Sequence, residues 1–358
     1  MNVLFIIPSL RTGGAEKMLV ELIPQMKRER LNCSILLFDR EKTYFSTLLE
    51  NEGIQIRYTI KKSFFNLLNI ITFLSVILSS KYDVIHCHLT YPQFWIALVS
   101  IFNVRGKKLI TTEHSSNNRR RKSCILRYFD KYVYSRFRWV ISVSGAVQDS
   151  LLVWLKPRNV SKYLVIENCV DINKFSKAKP ALRLEFGMDD KDVILIMVGR
   201  MTEAKDQACI IKALTLLNDK FKAILVGDGE TLKDNRLLAQ KLGVDERVCF
   251  VGERNDIANL LQMSDIHIQA SHWEGLPTAS LEAMAAGKPA IGANVPGVCD
   301  VLPQSMLYRH ADFKDLANLV LQLSSRSDIG LLIQEQRQIL QRFDLVNIVK
   351  KHLEIYRK

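Results

Sequence analysis

Apolar, β-branched runs of strand length alternate with helical patterns along the whole chain. In the first half VLFII (3–7), CSILLF (33–38), DVIHCH (83–88), KLITT (108–112), WVISV (139–143) and YLVI (163–166) are expected strands. In the second half VILIMV (193–198), KAILVG (222–227), RVCFVG (247–252), DIHIQ (265–269) and PAIGA (289–293) follow. Nearly continuous apolar strands separated by helices predict parallel sheets covered on both faces. The chain therefore reads as α/β, with two doubly wound domains in tandem and ligand sites in the loops at the carboxyl ends of strands. A polar stretch ending in proline, ENCVDINKFSKAKPA (167–181), marks the expected boundary, giving domains over 1–170 and 171–342. The last segment, 343–358, is an expected helix with Leu345, Ile348, Val349, Leu353 and Tyr356 on one side, crossing back to the first domain.

Length agrees with this division, since 358 residues exceed what one core ordinarily serves. Charge separates the halves. Residues 1–172 hold 25 Lys and Arg against 13 Asp and Glu, net +12, whereas residues 173–358 hold 25 against 24, net +1. The first half is thus suited to an anionic partner: nucleic acid, a phospholipid surface or a phosphorylated substrate. Seven scattered cysteines with no C-x-x-C pair favour a reducing compartment over a disulfide framework or a cysteine zinc site. The N-terminus lacks a basic region before its short apolar run and reads as a first strand, not a signal peptide. One uncharged run, SFFNLLNIITFLSVILSS (63–80), approaches the length of a membrane span. Asn66, Asn69, Thr72 and Ser75 give it a weakly polar stripe, so an amphipathic helix, buried or lying on a bilayer, fits better than a span.

Several strand-to-helix loops carry candidate chemistry. Gly13 and Gly14 follow the first strand and would let backbone N–H groups approach an anion, although the spacing is not the G-x-G-x-x-G of dinucleotide sites. Arg200 and Lys205, after VILIMV, can converge on one anionic group. AILVGDGETLKD (223–234) reads as a turn without a catalytic role, because Asp228 and Glu230 would repel phosphates. In SHWEGLPTASLEAMAAGKPAI (271–291) Glu274 and Gly275 lie in the loop after a strand, and Pro277 suits the first turn of a helix ended by Gly287. The amides of Leu276, Thr278 and Ala279 are then expected to form a diphosphate-sized cradle, with Glu274 at one end and Glu282 at the other. His86, His88 and His114 raise a metal reading, but no further ligand stands at a recognisable spacing. His114, at a strand's carboxyl end, is the better candidate for touching substrate, and His88 is as readily structural.

Taken in order, these residues resemble the family-four retaining glycosyltransferases of GT-B architecture over nearly the whole chain. EGLPTASLEAMAAGKPAI is similar to that family's E-x7-E signature, preceded at the usual distances by VGRMTEAKD, LVGDGE and RVCFVGERNDIANLLQMSDI. GGAEKML, DVIHCH, TTEHSS, ISVSGAVQDSL and VIENCVD match in order in the first half. The resemblance implies two Rossmann-like domains facing across a cleft, a nucleotide sugar on the second and the acceptor on the first, and no divalent metal or other cofactor. By this resemblance Arg200 and Lys205 neutralise the leaving diphosphate, Glu274 holds the sugar hydroxyls and Glu282 the ribose. Gly275, Leu276, Pro277 and Thr278 cradle the diphosphate, His114 contacts the sugar, and Gly14 approaches the diphosphate or acceptor beside Gly13. Gly252 and Arg254 lie near the base. One departure is Cys169, where the family usually has a hinge glycine; a positive φ there would strain it.

The acceptor is expected on the basic half, where Arg119, Arg120, Arg121 and Lys122 precede Tyr128, Phe129, Tyr132 and Trp139. This points to an anionic membrane surface and a polyprenyl-diphosphate-linked or other lipid-linked glycan. No nucleic-acid partner is expected. The full expectation is a retaining hexosyl- or N-acetylhexosaminyl-transferase using a UDP-sugar in bacterial-type surface polysaccharide synthesis (O-antigen, capsule or lipopolysaccharide), cytoplasmic and peripheral to the inner face of the membrane. The competing readings are a nucleotide-sugar epimerase or hydrolase of the same architecture, and a non-enzymatic basic binding module.

Overall fold

The computed structural model describes residues 1–11, 13–103, 106–115, 121, 123–325 and 329–358. The chain separates into two units, one comprising Met1–Cys169 with Leu345–Lys358 and the other Val170–Asp344.

The first unit is built on β1 (Asn2–Ile7), β2 (Asn32–Leu37), β3 (Gln55–Tyr58), β4 (Val84–His88), β5 (Lys108–Glu113), β6 (Trp139–Ser142) and β7 (Tyr163–Val165). They form one seven-stranded parallel sheet in the order β3-β2-β1-β4-β5-β6-β7. The long inner strands bury both faces: in β1, Val3, Phe5 and Ile7 enter one apolar cluster, Leu4 and Ile6 the other. That is why the strands read as continuous apolar runs. β3, QIRY, escaped that reading because it is an edge strand with Gln55 and Arg57 turned to solvent. The direction of winding reverses between β1 and β4, so their carboxyl ends flank the crevice where doubly wound sheets take ligands.

Leu345, Ile348, Val349, Leu353 and Tyr356 of the final helix (Leu345–Arg357) join the first apolar cluster beside the helix Gly14–Arg28. Polar contacts fix its end. The Tyr356 hydroxyl lies 2.6 Å from His86 Nδ1, and Lys108 Nζ donates to the Tyr356 and Arg357 carbonyls at 2.8 Å. His86 uses its other nitrogen on Thr112 Oγ1 at 2.8 Å, so both ring nitrogens are satisfied in a fully buried site. Cys169 is not among the residues with positive φ and packs in the same cluster, so the strain considered for it does not arise.

The run 63–80 is helical only over Asn69–Leu78. Its polar stripe is divided: Ser75 is exposed, whereas Asn69 is fully buried, accepts from Lys61 N and donates to the Lys61 and Ser63 carbonyls. Phe73, Val76 and Ile77 point inward, while Phe65, Leu67, Leu68, Ile71 and Leu78 are exposed. Among the described residues no helix is long and apolar enough to cross a membrane.

The second unit carries β8 (Val193–Val198), β9 (Phe221–Val226), β10 (Val248–Gly252), β11 (Ile266–Gln269), β12 (Ala290–Ala293) and β13 (Leu307–Tyr308). Its six strands run parallel in the order β10-β9-β8-β11-β12-β13, with the reversal between β8 and β11. β13, two residues at the edge, was too short for any periodicity.

Removing the Tyr356 hydroxyl tests the tether of the final helix. Tyr356→Phe leaves His86 Nδ1 unpaired in the core and is expected to cost about 1–3 kcal/mol. The exposed Tyr44→Phe serves as a control. Thermal melts should separate the two variants by several degrees; coincident melts would contradict the tether.

Candidate active site

The β8/β11 reversal brings two of the predicted loops together. Lys205 closes the short turn Glu203–Lys205 after β8, and Glu274 sits in the loop after β11. Their side chains form an ion pair, Lys205 Nζ to Glu274 Oε1. The same oxygen accepts from Ser271 Oγ at 2.6 Å and from Gln269 Nε2 at 2.7 Å, while Gln269 Nε2 also lies 2.8 Å from Ser271 Oγ. Gln269 and Ser271 are 1% and 0% exposed, so this carboxylate is oriented by donors that cannot drift into water. A buried carboxylate needs such company, since desolvation without it favours the neutral acid. Neither Gln269 nor Ser271 was singled out from sequence; the signal was a Gln at the end of β11 and a Ser two places beyond it, five and three places before an acid.

The loop is held from behind by Gly297. Its φ is +86°, and a Cβ there would lie 2.5 Å from the Glu274 carbonyl oxygen. Gly227 does the same for the β8 loop: at φ +129° a Cβ would stand 2.2 Å from the Gly199 carbonyl. AILVGDGETLKD is thus a buttress, with Met201 N donating to the Asp228 carbonyl at 2.9 Å. Arg200 is exposed beside it, and its carbonyl accepts from Gln207 Nε2 at 3.2 Å.

Glu282 is buried in the helix Thr278–Ala285, for which Pro277 is the N-cap and Gly287, at φ +76°, closes the following turn. The expected cradle changes in one respect. The Thr278 amide donates to the Leu276 carbonyl at 3.0 Å, because Pro277 takes ψ 81° and folds a tight turn, so Thr278 is not a free donor. The amides of Gly275, Leu276 and Ala279 have no such partner among the described residues and supply the positive end of the helix dipole. Gly252 sits at φ +68° where β10 shifts register, and Arg254 makes a two-point ion pair with Asp256 at 2.8 and 2.6 Å. A further cluster borders Lys205: His272 Nδ1 is 2.7 Å from His310 Nε2, and its Nε2 is 3.8 Å from Asp206 Oδ2.

In the first unit Gly13 is the extended N-cap of the helix Gly14–Arg28. Open space surrounds Gly14, whereas the Glu16 carboxylate folds over Gly13, where an added Cβ would meet Oε2 at 2.2 Å. An anion arriving at this helix end must displace that carboxylate. His114 follows β5, and its Nε2 is 3.1 Å from His88 Nδ1 at the end of β4. Burial pushes the His114 pKa down to about 4 and that of His88 well below the usual value. Arg119, Arg120 and Lys122 lie outside the described residues. Arg121 does not join an exposed basic face: its side chain is 12% exposed, 3.9 Å from Glu113 and hydrogen-bonded to Ser150 Oγ. Trp139, on β6, is partly buried and packs against the core. Among the described residues no group of three or more His, Cys, Asp and Glu is arranged to hold a metal ion.

Two family matches cover most of the sequence: residues 12–174 match Glycosyltransferase Family 4, and residues 179–328 match Glycosyl transferases group 1. The chain belongs to the family-four glycosyltransferases of GT-B architecture. Among solved structures it is similar to Anabaena HepE in complex with UDP and glucose, at TM-score 0.87 and 25% identity over 99% of each chain. Among characterised or named relatives it is 27% identical to the putative glycosyltransferase EpsD of Bacillus subtilis over 78% of each chain. It is 24% identical to the UDP-Gal:alpha-D-GlcNAc-diphosphoundecaprenol alpha-1,3-galactosyltransferase of Escherichia coli over 80% of this chain and 78% of that one.

The buried imidazoles predict an acid limit on stability. His114 and His267 titrate near 4 and His352 near 3, with His86 and His88 also well below normal, all through burial. Unfolded histidines take up protons near pH 6.5, so below that the unfolded state binds protons the folded rings refuse. Stability is therefore complete above about pH 6.5 and falls by roughly 1.4 kcal/mol per ring per pH unit toward pH 4. Urea melts at pH 7.5, 6 and 5 should show a steep, accelerating loss. A flat profile would contradict neutral burial of these rings.

Proposed function

We propose that the chain transfers a hexose or N-acetylhexosamine from a nucleotide diphosphate sugar, with UDP the preferred nucleotide, to a lipid-linked glycan at an anionic membrane surface. The observation that carries the reading is the Lys205–Glu274 pair, placed at a sheet reversal next to a helix N-terminus with free amides. Lys205 has three N–H donors, so it can keep Glu274 while turning another toward a phosphate oxygen. Arg200 and the Gly275, Leu276 and Ala279 amides complete the anion seat, and Glu282 takes the ribose hydroxyls. Glu274, oriented through Oε1, holds hydroxyls of the sugar.

Transfer breaks the bond between the anomeric carbon and the diphosphate oxygen and forms one to the acceptor oxygen on the same face. The acceptor's proton passes to the departing phosphate oxygen, and the configuration is retained. Positive charge at Arg200 and Lys205 stabilises the departing anion, the role a metal ion fills elsewhere. UDP is favoured because a relative of 25% identity is described in complex with UDP and glucose, and another is named for a UDP-Gal donor and a diphosphoundecaprenol-linked acceptor. Bacterial-type surface polysaccharide synthesis fits that acceptor chemistry.

Lys205→Ala and Glu274→Ala should each lower turnover by at least about 100-fold while melting as folded proteins. EDTA should leave the wild-type rate unchanged, and the product anomer should match the donor's. Near-wild-type turnover of either variant, or loss of activity in EDTA, would overturn the assignment.

The bilayer part of the reading is supported by exposed apolar side chains on the basic unit. Leu67 is 79% and Ile125 81% exposed, and Phe65, Ile71 and Tyr128 are also exposed. They stand on segments whose helices pack side by side through the helix Thr90–Val99, with Phe65 against Tyr91 and Phe94 against Phe129. Vesicles containing phosphatidylglycerol should bind the chain at low salt, with phosphatidylcholine vesicles far weaker. Leu67→Glu with Ile125→Glu should reduce that binding on the order of tenfold or more and leave transfer to a soluble acceptor intact. Equal recovery with both vesicle types would contradict an anionic surface.

A further inference from the structure

In the second unit three side chains form a line across the carboxyl-end loops, beside the Lys205–Glu274 pair. His310, two residues after β13, brings Nε2 to 2.7 Å from His272 Nδ1, and His272 Nε2 stands 3.8 Å from Asp206 Oδ2. The planes of the two imidazoles meet at 88° with centroids 4.9 Å apart, so the rings touch through these nitrogens and do not stack. The line runs from the loop after β13, through the loop after β11, to the turn after β8. Two of its members adjoin the ion pair in sequence: Asp206 follows Lys205, and His272 stands two places before Glu274. The His272 amide also donates to the Ala204 carbonyl at 2.8 Å, fastening the same two loops through the backbone.

Two ring nitrogens at 2.7 Å need one proton between them. Neutral rings can supply it in two ways. If His272 donates from Nδ1, its Nε2 is bare and turns a lone pair toward the carboxylate. If His310 donates from Nε2, the His272 proton falls on Nε2 and that N–H faces Asp206. Only the second arrangement is attractive. Asp206 is held in place for it. It is the N-cap of the helix Gln207–Leu214 at φ +50°, a backbone state that Asp enters more readily than most residues. Its Oδ1 accepts from Cys209 N at 3.3 Å, which leaves Oδ2 for His272. Burial pushes the Asp206 pKa up, and the His272 ring opposes that push.

We propose that His272 is a positioning residue for Lys205. With His310 Nε2–H donating to His272 Nδ1, and His272 Nε2–H turned to Asp206, the turn that carries Lys205 is fixed against the loop that carries Glu274, and the ammonium is aimed at the diphosphate. The last step rests on the diphosphate seat proposed above; the direction of the proton chain does not.

The direction of the chain is read from the full-length protein labelled with 15N-histidine, with the two rings assigned through His272→Gln and His310→Gln. Long-range 1H–15N spectra at about pH 8, above the ordinary histidine range, should show both rings protonated at Nε2 and bare at Nδ1. Asp206→Asn is the sharper case. Its oxygen keeps the helix cap and its amide N–H now faces His272, so both rings should switch to the Nδ1–H form. Nδ1–H rings in the wild type, or unchanged Nε2–H rings in Asp206→Asn, would overturn the chain. Positioning is read by titrating UDP and UMP in EDTA. His272→Ala should lose on the order of tenfold in UDP affinity with UMP affinity nearly unchanged. His272→Gln keeps a donor toward Asp206 and an acceptor toward His310, and should stay within about threefold of wild type. In a Lys205→Met background His272→Ala should add no further loss, because the ring acts through that ammonium. Additive losses, or a full UDP preference in a folded His272→Ala, would refute positioning. A wild type that binds UDP and UMP alike would sink the seat and the positioning role with it, and the spectra would still decide the proton chain.

Discussion

Everything proposed for the second unit depends on one buried carboxylate oxygen. Glu274 Oε1 accepts from an ammonium, a hydroxyl and a carboxamide at once. Burying a carboxylate without such partners is costly. The arrangement fixes the direction of the acid and keeps Lys205 close to the helix end. Gly297 and Gly227 matter because a side chain at either would collide with the backbone of the loops that carry this pair. The sheet reversal between β8 and β11 matters because it alone makes those loops neighbours.

The first unit follows a different logic, in which neutrality is the constraint. Its carboxyl-end residues include His88 and His114, with His86 and His352 deeper in the core, all held below their usual pKa by burial. Such rings serve as hydrogen-bonding groups and not as cations at neutral pH. Positive charge in that half is carried by Lys and Arg, and part of it, as with Arg121, is spent internally on Glu113 and Ser150.

The two-sheet architecture was legible because most of the long strands bury both faces and therefore appear as largely apolar runs. What failed to show was whatever lacked that signature: β3 with its exposed Gln55 and Arg57, and the two-residue β13. The 63–80 run, expected as an amphipathic helix buried or lying on a bilayer, left the place of Asn69 open, since a buried Asn69 hydrogen-bonded to backbone looks the same in sequence as one facing water. At the site, Glu274 and Lys205 announce themselves as charges in strand-end loops. Gln269 and Ser271 are neutral, and only the fold reveals that they converge on one oxygen. The Thr278 amide was misjudged because the turn at Pro277 closes a hydrogen bond that spacing alone does not specify.

The central claim, that the Lys205–Glu274 loops and the following helix end form a diphosphate seat, is most directly tested by calorimetric titration of UDP and UMP in EDTA. The account predicts that UDP binds at least about tenfold tighter than UMP, a difference of roughly 1.4 kcal/mol, and that Lys205→Met removes most of this advantage. Equal affinities for the two nucleotides, or an undiminished preference for UDP in Lys205→Met, would contradict it.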